Sequence, residues 1–238
     1  MACIGRALFR TRFSWVVLGL IAQAALAAPA RIEDTLAQRL AACTVCHGEQ
    51  GRAGPDGYYP RLAGKPAGYL FNQLKHFLEG RRQYGPMVTL VSPLTDDYLQ
   101  DIARHFAALD LPYANPPPPS EPAAVLARGR MLAMQGDAAR GVPACSACHG
   151  SALTGVLPAT PGLLGLPRDY LVGQLGGWIT GQRRAHAPDC MAQVARRLDG
   201  GDVTAVSAWL AAQPVPVPGG AVLPAPGPLP LRCGSVPP

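Results

Sequence analysis

Long apolar segments are scarce in this chain of 238 residues. The one extended apolar run lies between residues 16 and 26, and no later segment approaches the ~20 apolar residues that a membrane-spanning helix requires. Aromatic residues make up only 6% of the chain, and no stripe of basic side chains is interleaved with them. The sequence therefore predicts no nucleic-acid partner and no contact with a membrane except through other proteins.

The N-terminus has the pattern of an export signal. Three arginines precede the apolar run, and the small-x-small triplet Ala25-Leu26-Ala27 ends it. We therefore predict a signal peptide over residues 1–27, cleaved after Ala27, and a mature protein in the periplasm. The alternative is an uncleaved membrane anchor, although the run is shorter than a spanning helix.

Proline and glycine are abundant, with 26 and 27 residues, whereas the charge balance is modest. Three of the 21 Lys and Arg residues and none of the 15 acidic ones precede residue 28, so 18 basic side chains accompany 15 acidic ones after cleavage. This composition favours short helices joined by irregular loops around something other than a large apolar core. The 211 residues after the signal peptide suit two small domains.

Two C-x-x-C-H motifs contain four of the seven cysteines. Thiols three residues apart on a helical turn point the same way and can add to the two vinyl groups of one haem, which places the next histidine under the iron. The motif is the attachment pattern of c-type haem, and we predict two covalent haems. The predicted haem-binding cysteines are Cys43, Cys46, Cys145 and Cys148, and the predicted iron ligands are His47 and His149.

Three other interpretations of the cysteine pairs are weaker. A structural zinc site uses pairs some 15–20 residues apart, whereas 102 residues separate these two pairs. A thioredoxin-like redox motif expects a βαβ setting, and the flanks here have helical patterns. Ordinary disulfides would not explain why a histidine follows each pair.

The second half of the chain repeats the first at an offset of 101 residues. Residues 60–66 match 161–167, and Tyr69-Leu70 matches Tyr170-Leu171. Each copy then reaches a methionine in a predicted loop, and we predict that Met87 and Met191 are the sixth ligands of the two irons. The competing side chains are Met131 and Met134, expected in the core, and His76, His105 and His186, expected at the surface or at a haem edge.

Apolar spacing predicts an all-α fold. The predicted helices are 31–43, 67–79 and 96–109 in the first half, the last capped by Thr95, and 122–135, 168–180 and 201–212 in the second. The predicted segments are a first domain (28–114), a stiff proline-rich linker (115–122), a second domain (123–213) and a proline-rich tail (214–238).

These motifs resemble those of the two-domain dihaem class I cytochromes c, the cytochrome c4 group, as far as about Gln213. The resemblance implies two tandem domains, each with a few short helices around one covalent haem, that meet at a pseudo-twofold interface. It implies that the carbonyls of Pro60 and Pro161 accept hydrogen bonds from the two ligand histidines. It also implies that Arg61 meets a haem propionate, a place that Gly162 takes in the second copy.

His/Met ligation leaves no open coordination position, so we expect electron transfer and no catalytic residue. The expected donor is a quinol-oxidising complex or a dehydrogenase, and the expected acceptor is a terminal oxidase or another cytochrome. One alternative is an electron-accepting subunit of a periplasmic dehydrogenase complex. The other is a dihaem enzyme of the peroxidase or thiosulfate-oxidising type, in which a cysteine such as Cys190 would ligate one iron.

Cys190 and Cys233 are the cysteines left over in the mature chain. We predict that they form a disulfide, because an exported protein is oxidised and the tail is too rich in proline to form a helix. The alternatives are a free Cys190 as an iron ligand and a Cys233 that pairs with another molecule.

Overall fold

The computed structural model describes residues 35–54, 57–119 and 121–236. The predicted signal peptide and the first residues of the predicted helix 31–43 lie outside the described residues. Residues 36–39 form the first turn of helix α1 (Leu36–His47). From Leu40 onward the chain forms one compact unit, which contains separate hydrophobic cores in its two halves.

The first half has four α-helices among its described residues. They are α1, α2 (Ala67–Leu78), α3 (Gly85–Val91) and α4 (Asp96–Ala107), and a 3-10 turn covers Glu49–Gly51. The predicted helices 67–79 and 96–109 are confirmed, and the Thr95 hydroxyl caps α4 by accepting a hydrogen bond from the Tyr98 amide at 3.3 Å. The prediction for α1 was wrong at its end, because the helix continues through the C-x-x-C-H motif to His47.

The core of the first half lies between α2 and α4. Leu99 and Phe106 of α4 are almost fully buried, and they pack with Leu70 and Phe77 of α2. The regular spacing of these apolar residues buries one face of each helix. Cys43 and Met87 pack against the same cluster at its edge, so the core positions both side chains.

The second half repeats this scheme with an added hairpin. Its elements are α5 (Ala123–Met134), a 3-10 turn (Ala138–Arg140), α6 (Ser146–His149), β1 (Gly155–Val156), β2 (Thr160–Pro161), α7 (Arg168–Thr180), α8 (Cys190–Ala195) and α9 (Gly200–Ala211). Strands β1 and β2 are antiparallel, with Gly155 opposite Pro161. The predicted helices 122–135, 168–180 and 201–212 are confirmed, and so is the all-α fold class apart from this small hairpin.

Helices α5 and α9 cross at very close range. A Cβ atom on Gly129 would lie 2.1 Å from the carbonyl oxygen of Ala205, so only glycine permits this crossing. Met131 packs against the neighbouring core, as expected, but Met134 is 39% exposed, so the prediction that it packs in the core was wrong. Met134 ends α5 and points away from the buried face that Leu132 and Ala133 occupy.

The proline-rich tail has no helix among its described residues, as predicted, and it is tied back to the second half. A disulfide joins Cys233 to Cys190 at the start of α8, which confirms the predicted pairing. Val222 adds to the edge of the hairpin, because its amide donates to Gly155 and its carbonyl accepts from Leu157 at 3.0 and 2.8 Å. None of the described helices is both long and apolar enough to cross a membrane.

Candidate haem sites and the surface between them

The first C-x-x-C-H motif lies on the last turns of α1. Cys43 and Cys46 are partly buried, unpaired thiols on one side of the helix. His47 is buried, and its Nδ1 donates a hydrogen bond to the Pro60 carbonyl at 2.8 Å. Because the carbonyl can only accept, the lone pair of the ring lies on Nε2, the nitrogen that is then able to bind iron.

The second motif has the same arrangement on α6. Cys145 and Cys148 are unpaired and partly buried. The Nδ1 of buried His149 donates to the Pro161 carbonyl, again at 2.8 Å. The two histidines are thus held by matching carbonyls, which are the contacts that the resemblance implies.

Burial controls the protonation of both sites. Desolvation lowers the pKa of His47 and of His149, only partly opposed by their hydrogen bonds to Pro60 and Pro161, so both imidazoles are neutral near pH 7. Burial raises the pKa of Cys43, and that of Cys145 to about 11, so these sulfurs are protonated thiols. A zinc site would instead stabilise thiolates.

The two methionines lie in the first turns of short helices, so the prediction that they occupy loops was wrong. Met87 follows Pro86 at the start of α3, where proline is well suited to begin a helix. Met191 lies at the start of α8, whose first turn is capped by the Asp189 carboxylate accepting from the Ala192 amide at 2.9 Å. With seven and six residues, these helices are too short to have a recognisable apolar period.

The histidines considered as rivals have other environments. His76 is 1% exposed, so the prediction of a surface position was wrong for it, whereas a position at a haem edge stays a prediction. Its ring packs against that of His186 at 4.8 Å between centroids, and its Nε2 has no hydrogen-bond partner among the described residues. Burial, with His186 and nearby arginines, lowers the pKa of His76 to about 3. His105 packs edge-on against Phe106.

Arg61 is buried and directs its guanidinium at backbone. Its Nε donates to the Ala63 carbonyl at 3.0 Å and its Nη1 to the Pro112 carbonyl at 3.1 Å, and its Nη2 donates to Leu111. The group also lies over the Tyr113 ring, 3.9 Å from the centroid. These contacts use three of the five N–H donors of Arg61, and its contact with a propionate stays a prediction.

Cys190 is not available as a thiolate ligand, because its sulfur is bonded to that of Cys233. The alternative in which Cys190 ligates an iron is therefore wrong for this structure. The disulfide instead fixes the start of α8, the helix that contains Met191.

The two halves meet at a pseudo-symmetric group of two arginines and two glutamines, which we call the Arg–Gln square. Arg82 donates to the Gln73 and Gln174 side-chain oxygens at 3.1 and 2.9 Å, and Arg183 donates to the same two oxygens at 3.0 and 2.7 Å. The members are related in pairs by the repeat offset of 101 residues. Nothing in the sequence indicated that these four side chains contact one another.

The residues at both sites fit a covalently bound haem. Each site has two thiols one helical turn apart and a neutral imidazole oriented by a carbonyl. Each half also has a partly buried methionine on a short helix that packs against the apolar residues of that half. Thioether, imidazole and porphyrin nitrogens together make up the ligand set of a six-coordinate c-type haem.

The chain matches no protein-family model, but it is similar to curated proteins over most of its length. It is 37% identical to the thiosulfate dehydrogenase electron acceptor of Thiomonas intermedia over 175 residues, which cover 74% of this chain and 80% of the relative. It is 31% identical to cytochrome c4 of Pseudomonas aeruginosa over 174 residues, which cover 72% of this chain and 84% of the relative.

The structure agrees with these similarities. The crystal structure of reduced recombinant cytochrome c4 from Pseudomonas stutzeri aligns with a TM-score of 0.64 and 29% identity, covering 74% of this chain and 95% of that one. About three quarters of the chain thus share their fold with a solved cytochrome c4. The chain belongs to the cytochrome c4 family: it is a c-type cytochrome with two covalent haems that transfers electrons and is not an enzyme.

Proposed function

We propose that the mature protein is a periplasmic electron carrier whose first haem is bound by Cys43 and Cys46 and whose second is bound by Cys145 and Cys148. We propose His47 and Met87 as ligands of the first iron, and His149 and Met191 as ligands of the second. The observation that carries this proposal is the duplicated hydrogen bond of 2.8 Å between each motif histidine and a proline carbonyl. The domains that hold the haems would be residues 28–114 and 123–213, joined by the linker 115–122.

When bound, a haem supplies one-electron exchange between Fe(III) and Fe(II). The chain holds each imidazole in one orientation through Pro60 or Pro161, which limits how far the ligand geometry changes between redox states. Met87 and Met191 would each supply a thioether to an iron, which would exclude small-molecule ligands and raise the potential relative to two nitrogen ligands. Arg61 would contact a propionate of the first haem with the donors that its backbone contacts leave free.

We propose a thiosulfate-oxidising dehydrogenase as the electron donor and a terminal oxidase or another cytochrome as the acceptor. Support comes from the Thiomonas intermedia relative, whose name is thiosulfate dehydrogenase electron acceptor. A quinol-oxidising complex, which the haem motifs alone leave equally open, is the second candidate donor. With either donor, the complex between the two proteins would be short-lived and its interface would bury a small area, as is typical of redox encounters.

The donor can be identified by mixing the oxidised dihaem protein with thiosulfate and a purified thiosulfate dehydrogenase and following haem reduction in a stopped-flow spectrophotometer. We expect both haems to be reduced only when thiosulfate and enzyme are both present. A parallel reaction with a quinol-oxidising complex and a reduced quinol tests the other donor. Reduction by the quinol system alone would contradict the thiosulfate proposal and favour the second candidate.

A further inference from the structure

Lys65 places a buried positive charge across the boundary between the two halves. The residue precedes α2 in the first half and is 4% exposed. Its ammonium Nζ donates a hydrogen bond to the carbonyl oxygen of Gly162 in the second half at 3.0 Å. No carboxylate of the described residues forms an ion pair with it.

The accepting carbonyl is next to the contact that orients the second motif histidine. Gly162 follows Pro161, whose carbonyl accepts from His149 Nδ1. The two hydrogen bonds thus end on neighbouring peptide groups.

This charge has no counterpart in the second half. The residue 101 positions after Lys65 is Leu166, which is buried in the core of the second half. The arginines of the Arg–Gln square, Arg82 and Arg183, are by contrast related to each other by the repeat and paired by a backbone bridge. The two sites already differ at Arg61, whose repeat position is Gly162, and Lys65 adds a second buried positive charge that the first copy alone contains.

The physical effect of such a charge has a definite sign. A positive charge near a haem destabilises Fe(III), which carries one more positive charge than Fe(II), and so it favours reduction. Burial strengthens this effect because little water screens the charge. Burial has the opposite effect on the ammonium itself: together with Arg61, it lowers the pKa of Lys65 to about 8, so Lys65 is mainly charged at neutral pH.

We propose that Lys65 is a positioning residue that raises the reduction potential of the second haem, acting through the Gly162 carbonyl beside the Pro161–His149 hydrogen bond. This inference rests on the proposal that His149 is the ligand of the second iron.

The test is to measure both haem potentials after removing the charge. Lys65→Gln keeps a hydrogen-bond donor but loses the charge, and Lys65→Met loses both. The matched control is Lys75→Gln, since Lys75 is the one other lysine of the chain and forms ion pairs with Asp96 and Glu79 on the outer side of α2. Potentials are obtained by spectroelectrochemical titration of the holoprotein and assigned to each haem by the NMR shifts of its methyl groups.

We expect both Lys65 variants to make reduction of the second haem less favourable by roughly tenfold in its equilibrium constant, or about 59 mV for one electron. The first haem and the Lys75→Gln control should keep their potentials. An unchanged second-haem potential in Lys65→Gln would overturn the inference, and so would an equal shift of both haems, which would indicate a general structural effect. If NMR of the unsubstituted protein shows that the second haem lacks a histidine ligand at His149, the ligand proposal fails as well.

Discussion

Arg82 and Arg183, which are 101 residues apart in the sequence, form an antiparallel backbone bridge at the centre of the boundary between the two halves. Their guanidinium groups lie over equivalent rings, Arg82 over Phe77 at 4.5 Å and Arg183 over Trp178 at 3.8 Å. Neighbouring like charges repel, and the two glutamine oxygens of the Arg–Gln square lie where they reduce that repulsion. The square therefore depends on all four side chains together.

Replacing one arginine of the square should destabilise the protein measurably. Arg183 is buried, and Arg183→Met would remove its hydrogen bonds to Gln73 and Gln174. The side-chain oxygens of the two glutamines would then each accept one hydrogen bond fewer. Bonds that involve a charged group contribute about 1.5–3 kcal/mol each, and the relieved repulsion with Arg82 offsets some of this, so we expect a net loss of about 2 kcal/mol. Denaturant unfolding of the holoprotein measures the change. Arg196→Met, on an exposed residue at the end of α8, is the control and should unfold like the original protein.

Removing either proposed methionine ligand should change one haem and not the other. Met87→Ala and Met191→Ala should each abolish one sulfur-to-iron charge-transfer band and lower one of the two potentials, because a weaker ligand such as water replaces the thioether. Near-infrared absorbance and potentiometric titration provide the two readouts. Met134→Ala, at an exposed position, serves as the control. A variant at Met87 or Met191 that keeps both bands would show that the replaced residue is not a ligand.

The disulfide should stabilise the second half. Cys190 and Cys233 are separated by 43 residues, and closing a loop of that length contributes roughly 4 kcal/mol on the chain-entropy model. We therefore expect Cys233→Ser to lower the unfolding temperature and, because α8 begins at Cys190, to weaken the Met191 charge-transfer band more than the Met87 band. Alkylation without reductant gives a direct check on the native protein. Two alkylated cysteines at these positions would contradict the bridge.

His76 should make the protein sensitive to acid. Its pKa in the folded protein is lowered from 6.5 to about 3, so below pH 6.5 the unfolded chain binds a proton that the folded protein does not. Stability is therefore retained above pH 6.5 and lost as the pH falls from 6.5 towards 3, by up to about 1.4 kcal/mol per pH unit from this residue. The groups that oppose its protonation are His186, Arg81, Arg82 and Arg183.

The matching experiment compares the original protein with His76→Phe in denaturant at pH 7 and pH 4.5. We expect the free energy of unfolding of the variant to fall less over this range, because phenylalanine has no proton to bind. Equal losses for the two proteins would mean that other groups cause the acid sensitivity.

The sequence by itself determined the features that depend on local pattern. The haem motifs, the 101-residue repeat and six helices were predictable because thiol spacing, apolar period and capping by Thr95 act over a few residues. The pairing of Cys190 with Cys233 followed by elimination, since the haem motifs account for the other cysteines of the mature chain. Helices α3 and α8 were not predicted, because helices of seven and six residues are too short to show an apolar period.

Only the tertiary structure decided which distant residues meet. Lys65 and Gly162 are 97 residues apart, and whether a lysine stays in water or crosses into the other half depends on how the two halves pack. The same packing buries His76, a residue whose polarity alone suggests an exposed position. The free energy of such contacts depends on how much water each side chain loses and on which partners the other half of the fold supplies. Neither can be read from the residues that adjoin Lys65 or His76 in the sequence.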